Sequence, residues 1–538
     1  MKRFKNIVYG VLCLSIFSSC SDFLDRKPLD FISPDNYLTN ENQAEKLLNG
    51  VYESLMASGE GNDRLFPIHL ATLTDDAFDP QPWHSTTEWA RGQGNAQSGW
   101  PKWKWDLDYR GISRANVFLN SIDEASFTSS LIPRYIGEAK FLRAWYYTDL
   151  VTFYGDVPLV LEPGDLSNSK PYRTPKQQVI AQILQDLEDA IASLPVTYEE
   201  KESGRITKGA AMGLKARVLL YESRWAEAAQ AAQAVMDLHA YTLFPDYQGL
   251  FLEKNEGAAT CEIMFQRYYS PQTDPSYLYY LIGEWPAFSP TKQLIDCYYM
   301  NDGQPVSKSP KYDKANPHMN RDPRFYASIF YPGCQYLNYM IKAPDPAVST
   351  DSIIIPQWLL NTSGYRSKKH LNGYMTDIKD EGRNTYFMRY AEMLLNFAEA
   401  KNEVDGPVKA VYDAIDQLRD RAHMIRLSVA MPNLSKEQMR KEIRNERRIE
   451  LAFEGMRWAD IRRWKIGEEV MVDAKGLDNS LLAAGMYPGD GKGESKDWIY
   501  EEIVIDQRQF NPQRDYLWPI PQNEMDANEN MVQNPGYN

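Results

Sequence analysis

Apolar residues recur every three or four positions in several stretches of the chain, and this spacing predicts a mostly α-helical fold. Over residues 134–154 the repeat follows one helical face, and Gly155 and Pro158 then end the predicted helix. A second amphipathic helix is predicted over 174–194 by the same spacing. Helices of this kind bury one face, so we expect them to pack side by side.

Two adjacent helices are predicted over 208–238, with a turn near Ser223. Small residues on their facing sides, Ala216, Ala228 and Ala232, permit close approach of the two backbones. Small and aromatic residues at such offsets are typical of tetratricopeptide hairpins. The strict repeat consensus is absent, so the pattern predicts a degenerate form of that repeat.

A further helical hairpin is predicted over 384–403 and 408–423. After it, Ser435 is expected to cap a helix that continues through Glu454. Gln438 lies three residues after that serine, which is the spacing of a capping box. The sequence therefore predicts helical hairpins in both halves of the chain.

Three regions, 57–130, 240–383 and 466–538, lack a clear helical pattern and contain many Pro and Gly residues. We expect them to form long irregular insertions, with a half-buried strand at Trp103 and Trp105 because these residues alternate. Loops of this length in a compact domain are usually functional or disordered. Their aromatic content favours function.

The first residues have the order of a secretory signal. Basic residues within positions 1–5 precede an apolar run at 7–17, which is too short to span a bilayer. Cys20 follows two small residues, as in a bacterial lipobox, so residues 1–19 are expected to be removed and Cys20 to carry acyl chains. The alternative is an ordinary signal peptide with a coincidental cysteine. Residues 20–538 are expected to form one domain.

Charge and cysteine content narrow the class of protein further. The formal net charge is −14, and the expected signal removes three basic residues and no acid. Such an acidic chain is not expected to bind nucleic acid, because that binding depends on basic contacts to phosphate. Beyond the signal and Cys20, three cysteines remain, Cys261, Cys297 and Cys334, and either one disulfide or three free thiols is compatible with their number.

Seven segments along the chain carry recognisable motifs: SCSDFLD at 19–25, EAKFLRAWYY at 138–147, YGDVPL at 154–159, RYAEMLLNFAEA at 389–400, NERRIELAFEGMRWADIRRW at 445–464, LWPIPQNEMD at 517–526 and QNPGY at 533–537. Together these segments resemble the SusD/RagB family of outer-membrane lipoproteins. The charged residues of the fifth segment are expected to form structural ion pairs rather than a catalytic site. The 517–521 part is expected to lie as an extended cover over the helices.

The resemblance implies a SusD-like fold, in which tetratricopeptide-like hairpins carry long loop-rich insertions that build a binding surface. It implies an oligosaccharide ligand or, less often, a peptide, with no catalysis and no cofactor. It also implies a partner, a SusC-like TonB-dependent outer-membrane barrel, and a lipid-anchored position at the cell surface. Three alternatives are retained: another nutrient as ligand, a secreted glycoside hydrolase and a helical scaffold without a small ligand.

The candidate ligand contacts are mainly aromatic. Residues 83–105 hold five of the 13 tryptophans, among many amide and charged residues. An indole face can cover the C–H face of a sugar, while polar groups bond to its hydroxyls. We therefore predict ligand contacts from Trp83, Trp89 and Trp100 and from two polar partners, Asp76 and Arg91.

A second candidate segment is GEWPAFSPTK at 283–292, which is similar to a family loop that offers an aromatic side chain. Trp285 is the predicted contact there, ahead of Phe288. Enzyme signatures are weak, because Asp75 and Asp76 are adjacent and their side chains are expected to diverge rather than face each other. The histidines show no zinc-binding spacing, and no metal site is expected.

Overall fold

The computed structural model describes residues 38–55, 67–81, 85–123, 125, 127–164, 169–199, 202–276, 278, 282, 288–331, 334, 363–371, 382–478 and 501–537. The predictions for residues 1–19, Cys20, Trp83 and Trp285 lie outside these residues. Among the helices described, none has both the length and the apolar character needed to cross a bilayer.

Helices form most of the regular structure. They are α1 (Glu41–Glu53), α2 (Pro67–Thr72), α3 (Thr86–Ala90), α4 (Gly99–Asp123), α5 (Ile132–Tyr154), α6 (Lys176–Ser193), α7 (Lys208–Tyr221), α8 (Trp225–Asp237), α9 (Glu256–Ala259), α10 (Lys292–Cys297), α11 (Pro323–Ser328), α12 (Tyr390–Asp405), α13 (Lys409–Arg421), α14 (Leu427–Ala430), α15 (Lys436–Glu450), α16 (Met456–Arg463), α17 (Gly467–Val470) and α18 (Gln522–Ala527). Two short 3₁₀ turns span Gly249–Phe251 and Glu253–Asn255.

The helical hairpins pack as the sequence predicts. Helix α5 lies against α4 and α6, and α8 packs between α7 and α12. Thr207 begins α7 by accepting a hydrogen bond from the amide of Ala210 at 3.1 Å. Ala216, Ala228 and Ala232 are fully buried, which confirms their role in close helix packing. Helix α5 ends at Tyr154, and Gly155 caps it with a φ of +76° that favours glycine.

Strands are short and occur in antiparallel pairs. They are β1 (Ala77–Phe78), β2 (Ile263–Arg267), β3 (Ser289–Pro290), β4 (Ile329–Phe330), β5 (Arg366–Ser367), β6 (Thr385–Arg389), β7 (Ala474–Leu477) and β8 (Glu502–Asp506). The pairs are β1 with β3, β2 with β6, β4 with β5, and β7 with β8. Each pair joins segments that are distant in sequence.

Three predictions of local structure are wrong. Trp103 and Trp105 lie in the 25-residue helix α4, not in a strand. Lys104 and Asp108 lie four residues apart in that helix and form an ion pair of 2.7 Å, which is the spacing of a helix and not of a strand. Residues 385–389 form strand β6 before α12 begins.

The third error concerns the helix that Ser435 begins. The capping box is confirmed, because Ser435 accepts from the Gln438 amide and Gln438 accepts from the Ser435 amide. The helix ends at Glu450, however, and not at Glu454. Phe453 and Gly455 both adopt positive φ, which no α-helix accommodates.

The charged residues of the 445–464 segment form structural ion pairs, as predicted. The buried network around them contains five cations and five acids: Arg324, Lys369, Arg389, Arg419 and Arg421 with Glu262, Asp322, Glu446, Glu450 and Glu454. Arg389 alone contacts three of the acids at 2.7–2.8 Å. Nearby, Arg447 pairs with Asp460 at 2.8 Å. The network joins α11, α13 and α15 to strand β6 and to the irregular segments around them.

The 517–521 segment lies over the helices as an extended cover, as predicted. Trp518 and Ile520 are buried. The Trp518 amide donates to the Phe153 carbonyl at 2.7 Å, and its ring stacks on the Phe153 ring at 4.4 Å. The three cysteines in the described part of the chain, Cys261, Cys297 and Cys334, are free thiols, so the alternative of one disulfide is wrong.

Candidate ligand-binding surface

Strands β1 and β3 bring together the two segments that the sequence predicts to contact ligand. Phe78 lies opposite Ser289 in this antiparallel pair. The chain after Phe78 and the chain before Ser289 therefore leave the pair at the same end. Thr291 reinforces the contact, because its hydroxyl donates to the Asp75 carbonyl at 2.5 Å and its amide to the Asp76 carbonyl at 2.9 Å.

Four further strands lie beside this pair. The Ser367 amide of β5 donates to the Phe288 carbonyl at 3.3 Å, and the Leu477 amide of β7 donates to the Ser363 carbonyl at 2.8 Å. The Gln293 side chain bonds to backbone next to and within β7 at 2.8 and 3.1 Å. We call β1, β3, β4, β5, β7 and β8 together the platform. Gln81, the last described residue before 82–84, follows β1, and Phe288, the first described residue after 283–287, precedes β3.

An arginine–aspartate cluster fastens β8 to the tryptophan-rich segment. Asp506 is buried and accepts from Arg91 at 2.7 Å and from Arg508 at 3.1 Å. Arg508 also donates to the carbonyls of Thr74 and Ala77, the latter at 2.8 Å. The side chain of Arg91 remains 43% exposed, so the predicted polar contact lies at the surface and is held in one orientation.

Asp76 has a supporting position rather than an exposed one. Its residue is 1% exposed, and its carboxylate accepts from Arg448 at 2.7 Å. Asp75 next to it binds Arg457 and Arg448 at 2.8 and 2.9 Å. Burial raises the pKa of Asp75, but the two arginines outweigh burial and lower this pKa to about 2. Both carboxylates therefore form ion pairs with arginine.

Trp89 lies on the surface of the same segment. Its indole is half-buried and packs 5.7 Å from the Trp518 ring. A second contact of the indole is Gly94, where an added Cβ would come within 2.4 Å of the indole. Glycine is therefore required for the indole to fit there. The packing restricts the rotamer of Trp89 while part of its surface stays accessible.

Trp100 and Phe288 belong to the core. They are 4% and 2% exposed. His69 lies between them, with ring centroids 5.4 Å from Trp100 and 4.8 Å from Phe288. Trp100 therefore supports the platform from below, and the predicted contact residues at the described surface are Trp89 and Arg91.

Asp506 and Arg508 could not be predicted from the sequence, because nothing in it connects Arg91 to residues more than 400 positions away. Tyr268 was not predicted either, and it is 41% exposed beside a groove of about 760 Å³ away from the platform. The Tyr268 ring lies against Gly204, and its hydroxyl bonds to Ser203 and Gln266 at 3.0 and 2.9 Å. In the described part of the chain, no cluster of His, Cys, Asp and Glu is arranged to hold a metal ion.

Comparison with known protein families agrees with these features. A family model described as the SusD family matches residues 254–537, more than half of the chain. This chain belongs to the SusD family. A second model, described as starch-binding and associating with the outer membrane, matches residues 22–220. The resemblance drawn from the sequence motifs is confirmed.

Relatives and solved structures extend over nearly the whole chain. SusD-like protein P2 of Formosa agariphila is 26% identical over the full length of both chains, and SusD-like protein P38 of the same organism is 26% identical over 90% of this chain and 96% of its own. A crystal structure of a SusD-like carbohydrate-binding protein from Bacteroides fragilis is 26% identical and superposes with a TM-score of 0.79, covering 92% of this chain and all of the other. The mostly α, SusD-like fold is therefore confirmed.

Proposed function

We propose that this SusD-family protein is an outer-membrane lipoprotein that binds an oligosaccharide at the cell surface and delivers it to a SusC-like TonB-dependent barrel. The observation that carries the proposal is the antiparallel pairing of β1 with β3. This pairing brings together the points at which the two tryptophan-containing segments join the described chain. The carbohydrate binding named for the Bacteroides fragilis protein supports the same ligand class.

The proposed contacts are Trp83, Trp89, Arg91 and Trp285. An indole can cover the apolar face of a sugar ring, since aromatic side chains bury large apolar areas. A fixed guanidinium such as that of Arg91 can donate to sugar hydroxyls without first losing conformational freedom. Asp76 and Trp100 are assigned supporting roles in this proposal, because both are buried.

Binding without turnover is part of the proposal. A glycosidase needs two carboxyl groups that face each other across the substrate. At the platform Asp75, Asp76 and Asp506 are buried and bonded to arginines. Acids held in this way are not available to transfer protons to a glycosidic oxygen.

The anchor and the partner are proposed from the signal-like first residues and from the family resemblance. Cys20 would carry the acyl chains, and a chain attached in this way can hand its ligand to a barrel in the same membrane. Cys20→Ala is expected to release the protein from the membrane fraction and to abolish incorporation of labelled fatty acid. Affinity purification of the lipidated protein from its own outer membrane is expected to recover a TonB-dependent barrel.

Ligand binding is tested by a glycan-array screen of residues 21–538, followed by calorimetry on each saccharide that binds. Trp83→Ala, Trp89→Ala and Trp285→Ala are each expected to weaken binding about tenfold or more, because each removes an aromatic contact. The matched control is Trp225→Ala, a half-buried tryptophan at the start of α8 away from the platform. Thermal unfolding of every variant separates lost binding from lost folding.

The outcomes distinguish the alternatives. Saccharide binding lost in the platform variants and kept in Trp225→Ala supports the proposal. Binding of peptides that carbohydrate does not displace would replace the oligosaccharide with a peptide. Release of a shortened saccharide from the incubation would show turnover and overturn the assignment as a binding protein.

A further inference from the structure

A basic pocket lies away from the platform, where α5, α6, α7 and α16 meet the segment 516–517. Its volume is about 200 Å³, and its lining includes Lys176, Arg462 and Lys465. This volume exceeds the roughly 30 Å³ that one water occupies in the liquid, so a small solute fits. A concentration of cations at one place is unexpected in a chain with a net charge of −14.

Two cations that line the pocket are neutralised by acids. Lys176 pairs with Glu222 at 2.6 Å, and the other oxygen of Glu222 accepts from Gln177 at 2.7 Å. Arg463 pairs with Glu399 at 2.6 Å and with Asp460 at 2.8 Å. Glu222 is the only carboxylate among the described residues that line the pocket, and it is already paired with Lys176.

Arg462 and Lys465 are not neutralised in this way. Among the described residues, neither forms an ion pair. The Arg462 guanidinium stacks on the Trp458 ring at 3.6 Å and donates to the Trp458 carbonyl at 3.2 Å. Its Nε atom is buried and has no hydrogen-bond partner among the described atoms. Burial lowers the pKa of Arg462, which is the direction expected for a guanidinium without a paired carboxylate.

Lys465 completes the arrangement from the rim. Its Nζ lies 4.1 Å from the centre of the Tyr516 ring. The nearby acids are already engaged, because Glu468 accepts from the Tyr516 hydroxyl and Asp515 accepts from Arg514 and from the Asn511 amide. An anion in the pocket could therefore bond to Arg462 and Lys465 without displacing an acid.

We propose that the pocket formed by Arg462 and Lys465 binds a small oxyanion, such as a sulfate or carboxylate group, either free or carried by an acidic sugar. A charge-assisted bond to guanidinium or ammonium is stronger than a neutral one, and burial strengthens it further. The pocket contains no residue of the platform. Failure of this inference would therefore leave the proposed function intact.

Calorimetry on the full-length chain tests the inference, with sodium sulfate, glucuronate and uncharged glucose as separate probes at low ionic strength. Sulfate or glucuronate is expected to bind, and glucose is not. Arg462→Gln and Lys465→Gly are each expected to weaken that binding about tenfold or more, since each removes a charged donor. Lys465 adopts a φ of +53°, so glycine fits its backbone better than lysine does, and this variant is not expected to unfold.

The matched control is Lys409→Gln, which removes one positive charge from a side chain that is 87% exposed on α13. It is expected to bind the anion as the unchanged protein does. Binding of sulfate alone assigns a sulfate group, and binding of glucuronate alone assigns a carboxylate. No binding of either anion, or equal binding by Arg462→Gln and Lys465→Gly, overturns the inference.

Discussion

The helical scaffold and the platform are held together by different kinds of contact. In the scaffold, helices that follow one another in sequence pack together, as α5 does with α6 and α7 with α8. In the platform, strands of two to five residues pair parts of the chain that lie far apart, such as Phe78 with Ser289. Arg91 and Asp506, whose ion pair fastens β8 to the tryptophan-rich segment, are 415 residues apart.

The difference shows which region depends on the other. A two-residue strand forms few ladder hydrogen bonds and has no independent stability. The platform therefore takes its position from charged contacts to the scaffold, such as that of Arg448 on α15 with Asp76. The buried network likewise ties Arg324 and Lys369, which lie next to β4 and β5, to acids at and just after the end of α15. We expect the platform to open at a lower free energy than the scaffold.

The largest effect is expected from Arg389→Met, which breaks the network at its centre. The substitution leaves Glu262, Glu450 and Glu454 with less positive charge in a buried site. Removing one partner of a buried ion pair costs about 3–5 kcal/mol, so the free energy of unfolding should fall by that amount. Chemical denaturation measures it, with Arg426→Met on the exposed surface as the control. Equal stability of the two variants would show that the network does not hold the regions together.

A smaller effect, confined to the platform, is expected from Asp506→Asn. The neutral side chain weakens the bonds to Arg91 and Arg508, and a hydrogen bond to a charged group contributes about 1.5–3 kcal/mol. Hydrogen exchange should accelerate at the amides of β1 and β8 and stay unchanged in α7 and α8. Saccharide binding should weaken as well. Uniform acceleration across the chain would contradict a separate platform.

These contacts explain how much of the fold the sequence could predict. The scaffold helices were predicted because their signals are local: apolar spacing along α5 and α6, and the Ser435 capping box of α15. Local spacing failed where packing decides the structure. Trp103 and Trp105 alternate as in a strand, yet they lie in helix α4, which buries Trp100, Trp105 and Ile112.

The candidate site was predictable in composition but not in arrangement. Tryptophan density identified the segment of Trp89, and family motifs identified that of Trp285. The sequence could not show that Asp76 faces Arg448, 372 residues away, or that Trp100 lies beneath the surface. Whether a tryptophan faces ligand or core depends on pairings that only the folded chain creates.

The free energy of unfolding should also fall in mild acid because two histidines, His318 and His370, are buried. Burial, aided by Arg321 and Lys292, lowers the pKa of His318 to about 3, and burial lowers that of His370 well below its usual value. Between pH 6.5 and 3 the unfolded chain binds a proton that folded His318 does not. Stability is therefore full above pH 6.5 and falls by about 1.4 kcal/mol per pH unit below it for each histidine. Denaturation at pH 6.5 and 5.5 should show that His318→Gln reduces this slope, and an unchanged slope would contradict the role of His318.

The smallest effect is expected from Ser435→Ala, which removes a local contact of the scaffold. The serine hydroxyl accepts from the Gln438 amide at 3.2 Å, and loss of such a cap costs about 1 kcal/mol. Because the cap lies at the far end of α15 from Arg448, saccharide binding should not change while the free energy of unfolding falls. Calorimetry and denaturation on the same variant measure both quantities. If losing this local cap weakened binding as much as Asp506→Asn does, the platform would not be a separate unit, and its affinity would follow the stability of the whole chain.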